Sequence, residues 1–195
     1  TELDVPEPHW GVTLSPDGLV LLVSAGPRPR FIHRAVRATP TEPFGPSELQ
    51  PFLENAEGKQ FDTPYIGGGG ALYVSRESGP QFDLFFAFTD GGAYSPPKGL
   101  FAFNTSGTSE EWPVESMDGK TFFFASGGLA SSEIVEAHRA SATEPYSAGK
   151  TLSFPQSAIK HPGWISPDGC RLYLVMENAP GGSGGADVFV ATRGR

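Results

Sequence analysis

The chain has one cysteine, Cys170, two methionines, and no apolar run that approaches the length of a bilayer span. A lone cysteine excludes an internal disulfide, and the missing run excludes a membrane-crossing helix. Basic residues are scarce: 14 Lys and Arg stand against 22 Asp and Glu, a formal net charge of −8, with no basic cluster to override it. A surface of that sign repels phosphate backbones, so nucleic acid is not an expected partner. Familiar catalytic signatures are missing as well: no Gly-x-Ser-x-Gly elbow is set between a strand and a helix (the glycine run 181–185 fits the spacing alone), and His-Glu-x-x-His and metal-spaced Cys/His pairs do not occur. The glycine runs at 67–70 and 181–185 lack the Gly-Lys-Ser/Thr ending of a phosphate loop and read as hairpin loops. Ser116-Met117-Asp118-Gly119 lacks the residue that an Asp-box carries between Asp and Gly.

What the chain does have is 25 glycines, 19 prolines and 12% aromatic residues. That mixture suits many short strands joined by tight turns. Charged residues are too few, and large apolar residues too many, for disorder. The organising stretch is Ser166-Pro167-Asp168-Gly169 followed by Cys170-Arg171-Leu172-Tyr173-Leu174-Val175. Pro presets φ, Asp bonds its own backbone, and Gly accepts positive φ, so this reads as strand, turn, strand. The pattern recurs at Ser15-Pro16-Asp17-Gly18 and Ser116-Met117-Asp118-Gly119, and in degenerate form at Gly67–Gly70. The period is about fifty residues, the mark of a radial or solenoid repeat. A second motif keeps the same period: Val36-Arg37-Ala38-Thr39-Pro40-Thr41-Glu42-Pro43-Phe44 matches His138-Arg139-Ala140-Ser141-Ala142-Thr143-Glu144-Pro145-Tyr146 position by position.

Each repeat is read as about four antiparallel strands. They are Trp10–Leu14, Leu19–Ser24, Phe31–Arg37 and Leu49–Leu53; then Phe61–Ile66, Ala71–Ser75, Phe82–Phe88 and Gly99–Phe103; then Trp112–Glu115, Thr121–Ser126, Glu133–Arg139 and Thr151–Phe154. The fourth repeat gives Gly163–Ile165, Arg171–Met176 and Ala186–Thr192 without an outer strand. The expected fold is therefore all-β: one four-bladed β-propeller with blades at about 6–56, 57–107, 108–156 and 157–195. Residues 1–5 are expected to add the missing strand to the last blade and close the ring, removing a sheet edge. The competing architecture is a piece of a larger propeller, which exposes two blade faces.

Ser-Pro-Asp-Gly, the alternating aromatic and aliphatic strand after it, and Gly181-Gly182-Ser183-Gly184-Gly185-Ala186-Asp187-Val188-Phe189-Val190-Ala191-Thr192-Arg193 together resemble the TolB-type, WD-repeat-like propeller repeat. The resemblance spans essentially the whole chain. It implies a propeller, an exported bacterial protein in the periplasm or outside the cell, and a binding or scaffolding role. It says little about activity, because the motif residues build hairpins.

Innermost strands line a propeller's channel, so their entry positions are where a ligand meets the fold. Counting back five residues from each turn serine gives Trp10, Glu111 and His161, with Asp62 equivalent to within one residue. These four are the candidate ligand-binding residues. Asp62, Glu111 and His161 form a candidate metal set, since carboxylate oxygens and imidazole both ligate divalent cations; no other cofactor is expected. Solvated rim groups or strand caps are the plainer reading. Trp10, Trp112 and Trp164 either pack between blades or offer an aromatic platform to a sugar or peptide. Asp83, Glu133 and Asp187 recur before the third strand and are expected to fix loops, with Arg37, Arg139 and Arg193 as their partners. His33 and His138 read as structural, and Cys170 as a small hydrophobe.

The expected function is a non-enzymatic binding or scaffold propeller that recognises a protein, peptide or carbohydrate through its loop ends and channel mouth. The alternatives are a glycan-active hydrolase or lyase at the same mouth, and a partial propeller completed by another chain.

Overall fold

The computed structural model describes residues 4–50, 60–90, 93–128, 130–154 and 159–193. Blade 1 comprises β1 (His9–Leu14), β2 (Val20–Ala25), β3 (Phe31–Val36) and β4 (Glu48–Leu49). Blade 2 comprises β5 (Phe61–Ile66), β6 (Leu72–Ser78) and β7 (Gln81–Ala87). A small ribbon, β8 (Thr89–Asp90) with β9 (Ala93–Tyr94), precedes its outer strand β10 (Lys98–Gly99). Blade 3 comprises β11 (Ser109–Glu115), β12 (Thr121–Gly128), β13 (Ser131–His138) and β14 (Lys150–Thr151), and blade 4 comprises β15 (Lys160–Ile165), β16 (Arg171–Glu177) and β17 (Ala186–Thr192). The result is an all-β propeller of four antiparallel sheets, with four, four, four and three strands. Among the described residues no helix is long and apolar enough to cross a membrane.

The turn motif closes as its chemistry dictates. Ser15 Oγ donates to Asp17 Oδ1 at 2.6 Å and accepts from the Val20 N–H at 2.8 Å, while Asp17 Oδ1 accepts from the Leu19 N–H at 3.0 Å. The same three bonds recur at Ser116, Asp118 and Lys120–Thr121, and at Ser166, Asp168 and Cys170–Arg171. The serine bond is the main reason the Asp17, Asp118 and Asp168 carboxyls sit below the usual carboxylate range. Ser116→Ala removes two bonds to one buried hydroxyl and is expected to cost about 1–2 kcal/mol in urea-unfolding stability. Arg37 and Arg139 lock the turns from the third strand, their Nε donating to the Gly18 and Gly119 carbonyls at 2.7 and 2.5 Å. Contrary to the expectation from sequence, the arginines are not found on the recurring acids: Arg139 pairs with Glu115 and Arg193 with Glu136, while Glu133 pairs with Lys160 and Asp187 accepts the Ser183 N–H.

The second repeat departs from the serine motif because it must. A Cβ at Gly67 would overlap Glu115 Oε2, and one at Gly68 would overlap the Met117 carbonyl. Only glycine lets blade 2 approach blade 3 this closely. The Gly67 N–H reaches the Ala71 carbonyl, whereas the Ser15 N–H reaches Val20, so this loop is one residue shorter. That settles the register and makes Asp62 equivalent to Glu111 and His161.

Two apolar clusters fill the seams. One lies between blades 1 and 2 around Leu22, Ile32, Phe61, Leu72 and Val74; the larger spans blades 2 to 4 around Phe103, Phe122, Phe124, Ile134 and Leu174. Phe103 reaches the larger cluster because β10 is only two residues long and a turn follows it, with the Phe103 N–H on the Leu100 carbonyl at 2.9 Å. The sequence had read that stretch as strand. Beside these rings sits a buried polar hub. Glu115 Oε1 accepts from Tyr73 Oη at 2.6 Å, Tyr146 Oη at 2.7 Å and Arg139 at 2.8 Å, and Tyr65 Oη donates to the Glu115 carbonyl at 3.0 Å. Burial, then the Glu115 charge, pushes the Tyr65 and Tyr73 hydroxyls well up.

The seam between blade 4 and blade 1 is different. Adjacent blades pack face to face at the three internal seams, but no comparable packing joins β15–β17 to β1–β3 among the described residues. Ile32, Leu84 and Ile134 occupy one register column, opposite Ser24, Ser75 and Ala125, and each is 0% exposed. Val188 fills that column in blade 4, opposite Val175, and is 71% exposed. Leu14 is 46% exposed where its counterparts Ile66 and Ile165 are 5% and 6%. The latch expected from residues 1–5 is not what the described part of that segment makes. The Asp4 carbonyl accepts from Ser47 Oγ at 2.6 Å, and Asp4, Val5 and Glu7 border a cleft with Leu21 and Val23 on blade 1. Residues 1–3 lie outside the described residues.

Candidate functional site

Each innermost strand is broken by a bulge, between His9 and Gly11, Asp62 and Tyr65, Glu111 and Val114, and Pro162 and Trp164. A bulge bends its strand and re-aims the side chains beside it. Two bulges hold non-glycine residues at positive φ, Thr63 at 45° and Trp112 at 57°. Such backbones cost about 1–3 kcal/mol each and persist only where the surroundings enforce them. The bulges line one narrow channel, bordered by Trp10–Val12, Thr63–Tyr65, Trp112–Val114 and Pro162–Gly163.

At one mouth the channel widens into a cavity of about 560 Å³, the size of an ordinary ligand site. Trp10, Asp62, Glu111 and His161 all line it, so the column read from the turn serines converges in space. Their neighbours in sequence turn elsewhere. Glu110 is buried and accepts from Thr105 and Thr108, and Lys160 is buried against Glu133.

The metal set does not form. Among the described residues no three His, Cys, Asp or Glu side chains are grouped to hold an ion, the expected set of Asp62, Glu111 and His161 included. Arg30 explains why. Its guanidinium forms a buried ion pair with Asp62 Oδ2 and supplies the cation that a metal would have supplied. Asp62 also accepts from Ser24 Oγ at 2.6 Å and the Thr63 N–H at 2.9 Å. Arg30 and Arg28 come from the loop joining β2 to β3, which carried no motif. The only signal for them was two arginines beside prolines at a hairpin apex.

The indole rings are partly consumed by the fold. Arg30 lies over Trp10 with its Cζ 3.7 Å from the ring centroid, and Trp112 stacks on His161 at 4.1 Å and 13°. Trp164 stands apart, packed on Tyr173. The three tryptophans do not make one platform. Among the described residues His161 Nδ1 is buried without a hydrogen-bond partner, and burial pulls the imidazole down to about 4. Burial, then the Asp62 charge, raises the Glu111 carboxyl to about 7, against the pull of Arg30 and Arg28.

These two shifts oppose each other in stability. Glu111 ionises later in the folded chain than in the unfolded one, so its contribution is present below pH 4.5 and lost as pH rises to about 7. His161 protonates later on acidification, so its contribution is present above pH 6.5 and lost as pH falls to about 4. Glu111→Gln is expected to unmask the His161 limb: melting temperature measured against pH should rise from pH 4 to 6.5 more steeply than in wild type.

No family model matches the chain, and no curated protein sequence matches it. Solved structures do. TolB from Acinetobacter baumannii superposes with a TM-score of 0.59 at 16% identity, over 95% of this chain and 41% of that one. A putative TolB from Agrobacterium tumefaciens gives 0.58 at 15% identity, over 93% and 65%. The fold is that of a TolB-like β-propeller. The chain spans less than two thirds of the length of either TolB. A thermostable family-43 glycoside hydrolase also superposes, at 0.54 and 14% identity over 97% of this chain and 76% of that one. Likeness at these identities speaks for the fold and not for an activity, and so the TolB-like propeller must be read from its own mouth residues.

Proposed function

We propose that this TolB-like propeller is a non-catalytic binding module that takes an extended peptide or protein segment at the mouth lined by Trp10, Arg28, Glu111 and His161. The observation that carries the reading is the convergence of one repeat column into a ligand-sized cavity with charges of both signs on its rim. A half-exposed indole beside a carboxylate and an exposed arginine suits a chain with alternating apolar and charged groups. A glycan is favoured less, because the tryptophan faces are stacked on Arg30 and His161. A hydrolase needs two reacting groups free to face a substrate. Asp62 is engaged by Arg30, Ser24 and the Thr63 N–H, so it is not free to act as a second carboxylate beside Glu111. The TolB likeness supports an exported, periplasmic or extracellular setting.

Selection from a displayed peptide library tests this. Binders enriched on wild type should lose about tenfold or more in affinity to Glu111→Gln and to Arg28→Ala, as hydrogen bonds to charged groups are worth about 1.5–3 kcal/mol. No enriched peptide, or peptides indifferent to both changes, would count against the site. A response on a glycan array alone would transfer the cavity to a sugar.

A further inference from the structure

Two acids on adjacent innermost strands line the cavity at the channel mouth, and their surroundings differ sharply. Asp62 on β5 is saturated, because Arg30, Ser24 Oγ and the Thr63 N–H all reach it. Among the described residues no hydrogen bond or ion pair reaches the Glu111 carboxyl on β11. A carboxylate drawn partly out of water without a partner is costly, and a cation offsets that cost. Arg30 does not supply it while it serves Asp62. The rest of the lining suits a cation on an apolar stem. The half-exposed Trp10 indole already carries one guanidinium, that of Arg30, with its Cζ 3.7 Å from the ring centroid. Trp112 lies flat against His161 beside it, and aromatic faces attract cations. Phe82, Ile159 and Val175 add apolar wall, against which the methylenes of a long basic side chain pack while its head stays polar. Glu177 borders the same cavity and the chain carries a formal charge of −8, so a cation is also drawn in at long range.

We propose that the mouth holds a subsite for a basic side chain, a lysine or arginine of the bound segment, whose cationic head pairs with Glu111 and whose stem lies along Phe82, Ile159 and Val175. The subsite rests on the reading of the mouth as a peptide site and names the residue that the peptide must present there. Pairing with a cation favours the ionised form of Glu111. Because this carboxyl is raised to about 7, binding below that pH releases a proton and affinity climbs as pH rises. The other charged or titratable groups facing the mouth, among the described residues, are Asp62 on β5, Arg28 and Arg30 between β2 and β3, His161 on β15 and Glu177 on β16. His161, pulled down to about 4, stays neutral between pH 6 and 8 and does not repel the cation there.

NMR titration of the full chain with n-butylguanidinium, which stays charged at every pH used, tests this without a peptide; pentanoate serves as an anion on a similar stem. At pH 8 butylguanidinium should shift the Trp10 and Trp112 indole N–H signals saturably, and pentanoate should not. The dissociation constant of butylguanidinium should rise about tenfold from pH 8 to pH 6, as an acid titrating at about 7 passes from about nine-tenths to about one-tenth ionised. Glu111→Gln should weaken binding at pH 8 by about tenfold and flatten the pH dependence, with an unchanged circular dichroism spectrum. Pentanoate bound in place of butylguanidinium, an affinity indifferent to pH and to Glu111→Gln, or no shift with either probe would each overturn the proposal. So would library-selected peptides that keep their affinity when every Lys and Arg is replaced by norleucine, although the mouth would then remain a peptide site. Failure of the peptide reading looks different: a library that enriches nothing, with butylguanidinium still bound through Glu111, keeps the cation subsite and removes the peptide.

Discussion

Replacing Glu115 by Ala is expected to lower the unfolding free energy by about 3–5 kcal/mol, the usual consequence of removing one partner from a buried ion pair. The carboxylate is the acceptor on which the Tyr73 and Tyr146 hydroxyls and the Arg139 guanidinium converge. Its side chain is 2% exposed and that of Arg139 13%, so the arginine left behind finds little water. For a domain of this size the midpoint of thermal unfolding should fall by about 10 °C, at about 2–4 °C per kcal/mol. Glu115→Gln keeps an acceptor for the two hydroxyls while removing the charge, and should lose less. Replacing Glu115 and Arg139 together by Met should recover much of the loss, because desolvating a pair offsets most of its attraction. Urea-unfolding midpoints of the four proteins form the test. A single Ala variant within 1 kcal/mol of wild type would mean that the hub does not bind blade 2 to blade 3.

Asp62→Ala should have an effect of similar size and a second, more specific one. Arg30 is 7% exposed, and its Nε already lacks a partner among the described residues. Removing Asp62 leaves that guanidinium buried and alone, at about 3–5 kcal/mol. It also removes the anion that helps to raise Glu111 and frees the cation that opposes it. The Glu111 titration should therefore move down from about 7 toward the ordinary carboxylate range. NMR titration of the Glu111 side chain reads this directly, with Asp62→Asn as the gentler variant. A Glu111 midpoint that stays near 7 would mean that burial alone sets it and that the mouth residues do not act as one electrostatic unit.

The candidate site was half legible. Trp10, Asp62, Glu111 and His161 follow from counting along a repeat, because strands of equal register around one axis bring equivalent positions to one mouth. Arg30 was not legible. It belongs to a hairpin apex with no repeat signature, and its pairing with Asp62 depends on how a loop of blade 1 leans over blade 2. Lacking Arg30, the same acids look like metal ligands. Glu115 escaped notice for a related reason: its partners Tyr73, Arg139 and Tyr146 are scattered over 73 residues of sequence and meet only when two blades pack.

By itself the sequence determined the local and periodic features: turns that close through Ser, Asp and Gly within five residues, strands that alternate, and a repeat that obliges a radial sheet array. Those are short-range consequences of dihedral preference and hydrogen bonding. Which charges neutralise one another, where Asp4 and Val5 rest, and that among the described residues blades 4 and 1 do not pack as the other blades do were decided only by tertiary packing. Each depends on surfaces from distant segments competing for the same contacts, and no local rule ranks that competition.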